Sequence, residues 1–434
     1  MELRRVLAPS EAAMAMAGGP VVVGWTVHGS LDVALLRAAV RELSQRMPVL
    51  AARVVEGPDG LVLRREHADA AVDLDVVPDG WAPQDAAFLR PGEQVLRVLL
   101  HREGPDRHAL ALLAWHAVSD GACLMALYRQ LWKIYRGLAE GGTGTAASDP
   151  HEELPRPVEE RLRERYGAPD VAACAADWSA RLDAARPAVL VPRAARDGGP
   201  GPEQGAHRHR FALSAGQTRS LVRHARRSGA SVNSAVCALA MRAVRDLLPC
   251  EHGTVQLTCL IPVDVRSRLQ PPLPADEFAF AASTTSATAL VGPDTELGLV
   301  AAEIDRQVHA SLDAGHAELE YLATSRMLTR LASAAITVAV SNVSRHCTAP
   351  TLPDGLTAER PYVITVPPGP LPTLFVTRHR EAICLDLVQP RAWYTRDQAG
   401  ELADALRRAL ATVTVTVTGA LGGEDLGRPA SPPR

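Results

Sequence analysis

The chain has 434 residues, of which 47% are hydrophobic and 22% are charged, proportions typical of a folded globular protein and not of a disordered one. Its 46 basic and 49 acidic side chains leave a formal net charge of -3, which argues against general attraction to nucleic acid or to an anionic membrane. At roughly 150 residues per domain, the length predicts two or three hydrophobic cores.

The cysteines and the N-terminal residues indicate the cellular compartment of the protein and whether it binds a metal. The seven cysteines are widely spaced and contain no C-x-x-C pair, which disfavours a zinc site and a secreted disulfide framework. No long apolar region marks a signal peptide, and no later stretch offers about eighteen uninterrupted apolar residues. We therefore expect a cytoplasmic protein with no membrane span, no nucleic-acid partner and no bound metal or cofactor.

The first part of the chain alternates between strand-like and helix-like segments. Residues 21–27 are predicted as a strand and 32–46 as an amphipathic helix, followed by a hairpin at 50–55 and 61–65. Residues 94–100 and 108–115 are predicted as two more strands. A helix with an apolar stripe then follows a polar cluster and ends near Gly141.

A second part repeats this style after a segment rich in proline and glycine. Strands are predicted at 207–213, 255–262, 335–340, 374–380 and 382–388, and helices at 215–228, 232–247, 296–314 and 397–413. We expect an N-terminal lobe at 1–185, a linker at 186–206, a C-terminal lobe at 207–420 and a flexible tail at 421–434. Mixed strands and helices in two comparable halves predict a two-lobed α/β architecture.

The polar cluster WHAVSDG, at residues 115–121, is the main candidate for chemistry. His116 follows a strongly apolar strand and precedes a helix, where a neutral imidazole can serve as a general base. Asp120 can cap the helix, and Gly121 allows a close approach of backbone or substrate. Taken alone, an H-x-x-x-D-G string is more often a packed histidine followed by a helix cap.

Several segments in the same order resemble one superfamily. The cluster and its flanks, from QVLRVLL to GLAEGG, resemble the HHxxxDG region of condensation domains and chloramphenicol acetyltransferases. Further similar segments are LAPSEAAMAM, GSLDVALLRAAVRELSQRMPVLAARVV, SVNSAVCALAMRAV, IPVDVRSRL and VAVSNVS. The N-terminal segments look closer to the stand-alone polyketide-associated acyltransferases of actinomycetes than to modular condensation domains.

The resemblance implies a fold and a set of roles. The fold would be two chloramphenicol-acetyltransferase-like lobes set in a V, with a central tunnel and His116 at its midpoint. His116 would deprotonate an acceptor that attacks an acyl thioester directly, without an acyl-enzyme. Asp120 would form a buried bidentate ion pair with Arg266, and Ser341 and Asn342 would lie near the oxyanion or the acceptor.

The sequence departs from the superfamily pattern in two places. Trp115 replaces the first histidine of the doublet, and we expect it to pack and to line the channel together with Ser119. Val343 and Ser344 follow Asn342 where a glycine would complete the SN-x-G element, so the local backbone there is expected to differ.

The predicted function is transfer of an acyl group from a thioester to a hydroxyl in natural-product or lipid biosynthesis. The donor would be acyl-CoA or the phosphopantetheine of an acyl carrier protein, and the acceptor a small alcohol or amine. Two alternatives stay open: a free-standing condensation enzyme that forms an amide, and a scaffold protein that has lost turnover.

A serine hydrolase is disfavoured because no G-x-S-x-G occurs. His207 and His209 are interpreted as surface residues, and Arg219, Arg223, Arg226 and Arg227 as a basic helical face.

Overall fold

The structure is a computed structural model. It describes residues 3–17, 19–65, 70–86, 88–142, 153–195, 200–201, 203–249, 253–331 and 336–415. The predicted tail at 421–434 lies outside the described residues. Among the described residues, no helix has the length and apolar character needed to cross a bilayer.

The first part of the chain forms seven strands and five helices among its described residues. The strands are β1 (Leu3–Val6), β2 (Pro20–His28), β3 (Arg53–Gly57), β4 (Gly60–Arg65), β5 (Leu74–Val76), β6 (Leu96–Arg102) and β7 (Arg107–Trp115). The helices are α1 (Pro9–Ala17), α2 (Val33–Arg46), α3 (Gly121–Ala139), α4 (Val158–Arg163) and α5 (Ala168–Ala185).

The second part adds eight strands and five helices within the described ranges. The strands are β8 (Ala206–Ala212), β9 (Val255–Asp264), β10 (Ala282–Val291), β11 (Val338–Asn342), β12 (Thr357–Ala358), β13 (Tyr362–Thr365), β14 (Thr373–His379) and β15 (Ala382–Pro390). The helices are α6 (Ala215–Arg227), α7 (Val232–Arg245), α8 (Leu297–Asp313), α9 (His316–Leu331) and α10 (Arg396–Val415).

Each half is built on a mixed sheet. The first sheet has the order β12-β2-β7-β6-β5, with β13 also pairing with β2, and the second has the order β10-β9-β11-β14-β15-β8. A small sheet of β1, β4 and β3 completes the first half. The central strand β7 is a nearly continuous apolar run that is buried along almost all its length, as expected for a strand covered on both faces.

The strands in the second half do not all stay with the second sheet. Residues Tyr362–Thr365 of β13 pair antiparallel with β2, so that Tyr362 lies opposite Gly24 and Thr365 opposite Val21. The predicted C-terminal lobe at 207–420 therefore contributes two strands, β12 and β13, to the sheet of the first half. Local periodicity did not indicate this crossing because strand pairing is a long-range property.

The described part of the predicted linker packs along the second half. The amide of Ala188 donates to the Gln256 carbonyl over 2.8 Å, and the amide of Ala194 donates to the Trp393 carbonyl over 3.0 Å. Proline and glycine in this segment thus mark an irregular path rather than a free spacer.

Three large clusters of buried side chains and one small cluster of Leu260, Ile336 and Ala339 hold the fold together. One lies between the first sheet and helices α2 and α3, and another between the second sheet and helices α6, α7, α8 and α10. A third contains Trp178, Val265, Phe280 and Tyr321, which come from α5, the segments beside β9 and β10, and α9. This third cluster lies next to the polar turn that follows β7, since the ring of Phe280 contacts the ring of His116.

Candidate active site

The polar turn between β7 and α3 places His116 beside two cavities. Its first residue, Trp115, ends the buried strand β7, and its last, Gly121, begins helix α3. The hydroxyl of Ser119 donates to the Trp115 carbonyl over 2.8 Å and closes the turn. His116 is half-buried, while Ser119 and Asp120 are buried.

The ring of His116 is held in one orientation and one tautomer. Its Nδ1 lies 2.9 Å from the carbonyl oxygen of Ser119. Because a carbonyl oxygen only accepts, Nδ1 must donate, which leaves Nε2 unprotonated in the neutral ring. The ring of Phe280 meets the imidazole edge to face, with 5.4 Å between the ring centres. The arrangement presents Nε2 as a hydrogen-bond and proton acceptor.

The surroundings of His116 favour the neutral form. Burial lowers the pKa of the imidazole from its ordinary value, and the hydrogen bond to the Ser119 carbonyl and the negative charge of Asp120 oppose this shift only in part. At neutral pH the ring is therefore ready to take up a proton.

Both oxygens of the Asp120 carboxylate accept hydrogen bonds from the protein. Oδ1 accepts from the amide of Cys123 over 3.0 Å and so caps helix α3. Oδ2 accepts from Arg266 Nη1 over 2.6 Å and from the amide of Ala281 over 2.9 Å. Asp120 thus ties the turn to the segments that flank β9 and β10, and it has no free oxygen to offer a substrate.

Arg266 pairs with Asp120 through one nitrogen and not through two. Nη1 contacts Asp120, whereas Nη2 donates to the Ala279 carbonyl over 2.7 Å. The bidentate geometry expected from the resemblance is therefore wrong, because the second branch of the guanidinium satisfies a buried carbonyl instead. Both side chains are almost completely buried, at 4% and 5% exposure.

Two cavities meet at His116. The larger has a volume of about 570 Å³ and is lined by apolar side chains such as Leu260, Ile261 and Phe375. The smaller, of about 110 Å³, includes Ser283, Thr284, Glu320 and Thr324 among its lining residues. His116 lines both cavities.

The strand end at Ser341 and Asn342 lines the larger cavity. The Asn342 side-chain oxygen accepts from the Ser344 amide over 3.0 Å, which turns the chain into a short 3₁₀ segment. Across the cavity wall, a Cβ on Gly121 would lie only 3.2 Å from Val343 Cγ1 and 3.3 Å from Val363 Cγ1. A glycine at the start of α3 therefore lets this helix approach the segment that follows β11.

Trp115 and Ser119 line neither of these two cavities, so the expectation that they line the channel is wrong. Trp115 is 2% exposed and belongs to the core of the first half, as its place on an apolar strand requires. Ser119 is fully buried, and its hydroxyl is used within the turn.

Two acidic residues of the cavities were missed by sequence reasoning. Asp264 lies in the larger cavity and contacts His346 and Arg345 at 3.3 and 3.1 Å. Burial raises the pKa of its carboxyl, but a hydrogen bond from His346 and the amide and charge of Arg266 outweigh burial and lower it well below the ordinary value. Asp264 lies within the IPVDVRSRL segment and could have been singled out, whereas Glu320 carries no local signal because it lies within an ordinary amphipathic helix.

His207 and His209 lie on β8, the strand at the edge of the second sheet. The ring of His207 lies 3.0 Å from the carbonyl oxygen of Tyr394. Over the described ranges, no group of three histidine, cysteine or acidic residues has the geometry to hold a metal ion.

The chain is similar to acyltransferases in sequence and in fold. The family model for the C-terminus of phthiocerol/phthiodiolone dimycocerosyl transferase matches residues 202–383. A phthiocerol/phthiodiolone dimycocerosyl transferase of Mycobacterium ulcerans is 26% identical over 325 residues, which cover 70% of this chain and 71% of the relative.

Solved structures show the same fold. Polyketide synthase associated protein 5 from Mycobacterium tuberculosis superposes with a TM-score of 0.73 at 21% identity, covering 95% of this chain and 98% of the other. The first condensation domain of the calcium-dependent antibiotic synthetase superposes with a TM-score of 0.72 at 19% identity, covering 95% and 96%.

These similarities define the chain as an acyltransferase with the two-lobed fold of condensation domains and chloramphenicol acetyltransferases. Within this superfamily its sequence is similar to the polyketide-associated acyltransferases, as the ordered sequence segments predicted.

Proposed function

We propose that the protein transfers an acyl group from a thioester to a hydroxyl group, with His116 as the general base. The observation that carries the proposal is the imidazole itself: Nδ1 is occupied by the Ser119 carbonyl, and the ring lies where two cavities meet. A base placed between two reactants can act on both the attacking and the leaving group.

In the proposed reaction, His116 takes up one proton and later releases it. Nε2 takes the proton of the acceptor hydroxyl while the hydroxyl oxygen forms a bond to the thioester carbonyl carbon. The carbon–sulfur bond then breaks, and the imidazolium returns the proton to the departing thiolate. The products are an ester and a thiol, and no acyl-enzyme is formed.

The two cavities suit different reactants. A volume of about 570 Å³ falls in the range of small-molecule sites, and its apolar lining fits the acyl chain and thioester. Ser341 and Asn342 lie in this cavity and are proposed to face the developing oxyanion. The smaller cavity, which includes the Glu320 carboxylate and hydroxyl side chains, fits the acceptor.

The donor is proposed to be acyl-CoA or an acyl carrier protein, either of which presents its thioester on phosphopantetheine. Arg219, Arg223, Arg226 and Arg227 are exposed on helix α6. Such a basic face supports binding of phosphate groups or of an acidic carrier protein. No bound cofactor is needed, because the thioester is consumed as a co-substrate.

A hydroxyl acceptor is preferred to an amine. The family model and the relative matched over most of its length are both dimycocerosyl transferases, whereas the condensation domain is similar in fold alone. Formation of an amide is the second candidate, because the condensation-domain fold is shared. Mass spectrometry of reactions containing equal amounts of 1-decanol and decylamine would separate the two, and a preference for the amine would reject the ester assignment.

Replacement of His116 tests the mechanism and the scaffold alternative together. We expect His116→Ala to lower turnover by roughly 10²- to 10⁴-fold while the folded structure is kept, because only the proton acceptor is lost. Turnover is measured by mass spectrometry with a panel of acyl-CoA thioesters. His101→Ala is the control, since His101 lies on β6 and is not among the residues lining either cavity. Unchanged turnover in His116→Ala would remove the general base from the mechanism.

A further inference from the structure

The larger and the smaller cavity share part of their walls. Within the described ranges, the residues that line both cavities are Met14, His116, Pro262 and Ala282. These four side chains therefore form the boundary between the two cavities. Whether the contents of the cavities stay apart depends on how far these side chains can move.

Three of the four side chains are rigid. Pro262 and Ala282 lie on the paired strands β9 and β10. The proline ring is closed onto the backbone, and the alanine methyl has no rotamer that would move it. The ring of His116 is fixed by the 2.9 Å contact of Nδ1 with the Ser119 carbonyl and by its edge-to-face contact with Phe280.

Met14 is the one member of the boundary that can adjust. It is half-buried on helix α1 and packs against both the core of the first half and the third cluster. A methionine side chain has three rotatable bonds and fills irregular gaps. The helix itself is anchored, because the Ser10 amide donates to Glu159 over 2.8 Å and Arg5 contacts Glu11 at 2.6 Å. Movement of Met14 is thus confined to its side chain.

The smaller cavity can hold water as well as an acceptor. A volume of about 110 Å³ has room for several water molecules, and groups that bind water line it, namely the hydroxyls of Ser283, Thr284 and Thr324 and the carboxylate of Glu320. Water and alcohols have similar acidity, so His116 Nε2 does not distinguish them by itself.

Water activated by His116 would divert the proposed reaction to hydrolysis. Its oxygen would form a bond to the thioester carbonyl carbon while Nε2 takes its proton. The carbon–sulfur bond would then break, and the proton would pass to the thiolate, giving a carboxylic acid and a thiol. Efficient transfer therefore requires that water beside His116 is kept from the thioester.

We propose that Met14 is a movable partition that separates a thioester in the larger cavity from water in the smaller one, and that a bound alcohol displaces its side chain. This assignment rests on the proposed acyl transfer. It makes Met14 a specificity-determining residue that favours transfer over hydrolysis. Met14 takes no part in the proton transfer, and the boundary opens only when the acceptor has replaced the water beside His116.

Two substitutions of Met14 test the partition in opposite ways. Met14→Ala removes the flexible part of the boundary, and we expect the ratio of decanoyl-CoA hydrolysis to transfer onto 1-decanol to rise about ten-fold. Met14→Leu keeps the volume but is stiffer. It should keep hydrolysis low and lower kcat/KM for 1-decanol by roughly three- to ten-fold. Mass spectrometry of decanoic acid and decyl decanoate measures both reactions.

Met16→Ala is the matched control. Met16 lies on the same helix, two residues after Met14, but it is 77% exposed and lines neither cavity. We expect its ratio of hydrolysis to transfer and its kcat/KM to equal those of the wild-type protein.

Displacement of Met14 is measured without turnover. The methyl groups of the seven methionines are labelled with carbon-13, and their NMR signals are assigned by single substitutions. We expect 1-decanol, without a thioester, to shift the Met14 signal and to leave the Met16 signal unchanged. This measurement uses the wild-type protein, so it decides the inference even where Met14→Ala does not fold.

The outcomes separate this inference from the proposed function. A wild-type ratio of hydrolysis to transfer in Met14→Ala overturns the partition and leaves acyl transfer intact. A Met14 signal that does not move at 1-decanol concentrations that support transfer does the same. If the wild-type protein neither transfers nor hydrolyses the thioester, the proposed function is rejected, and a shift confined to the Met14 signal still supports its displacement by an alcohol.

Discussion

Burial favours the neutral form of the His116 imidazole, and it should therefore shift the pH dependence of catalysis to lower pH. Because burial lowers its pKa, the acid limb of kcat/KM should have a midpoint below about 6.5, the ordinary value for histidine. We expect the rate to be unaffected by this group above pH 7. The measurement is a kcat/KM profile from pH 5 to 8 with one acceptor, and a midpoint above 6.5 would contradict the assignment.

The same shift links His116 to stability. A lowered pKa means that the unfolded chain binds the proton more readily, so the contribution of this residue is present above pH 6.5 and is lost as the pH falls. Replacing His116 with Ala should therefore remove part of the acid sensitivity of the folded protein.

At the scale of elements, one ion pair joins helix α3 to the segments beside β9 and β10. Asp120→Ala removes a helix cap and also leaves the buried guanidinium of Arg266 with only a longer contact of 3.4 Å to Asp264 as its charge partner. We expect a loss of about 3 to 5 kcal/mol in the free energy of unfolding, measured by urea denaturation.

Asp32→Ala separates the two contributions of Asp120. Asp32 caps helix α2 by accepting from the Leu35 amide over 3.0 Å, but it is exposed and has no comparable buried partner in its cap. Its loss should cost about 1 kcal/mol. Equal costs for Asp120→Ala and Asp32→Ala would show that the ion pair adds nothing beyond the cap. A double variant with Arg266→Met should be less destabilised than the sum of the two single changes.

At the scale of the whole molecule, strand β13 holds the two halves together. Tyr362, at its start, is 4% exposed and lies so close to β2 that a Cβ on Gly24 would meet its hydroxyl. On its other side, Arg208 from β8 lies 5.0 Å from the ring centre and contacts Asp386 over 2.8 Å. Residues of both halves thus pack on one aromatic ring.

Tyr362 offers a paired test of this connection. Tyr362→Ala should destabilise the protein by about 3 to 5 kcal/mol, because a large ring is removed from a buried site. Tyr362→Phe should be close to neutral, since the hydroxyl has no hydrogen-bond partner among the described residues. Calorimetry measures both. A normal melting temperature in Tyr362→Ala would show that the ring does not join the halves.

The amino-acid sequence by itself determined the order of most elements. Apolar alternation and helix caps are local signals, and they predicted β2, β7, α2, α3 and the strands β8, β9, β14 and β15 to within a few residues. Helix α5 and strand β10 were missed because alanine, serine and threonine make weak apolar patterns, and helix α9 was missed as well. The ordered motifs also predicted the superfamily and the contact between Asp120 and Arg266, since the spacing of such motifs survives in the linear chain.

Only the tertiary structure decided which groups share the site. The pairing of β13 with β2, the single-nitrogen contact between Arg266 and Asp120, and the burial of Trp115 and Ser119 all depend on contacts between distant segments. Glu320 faces the smaller cavity because α9 packs beside β10, some two hundred residues after His116 in the chain. Periodicity reports which face of a helix is apolar, but it cannot report what that face meets.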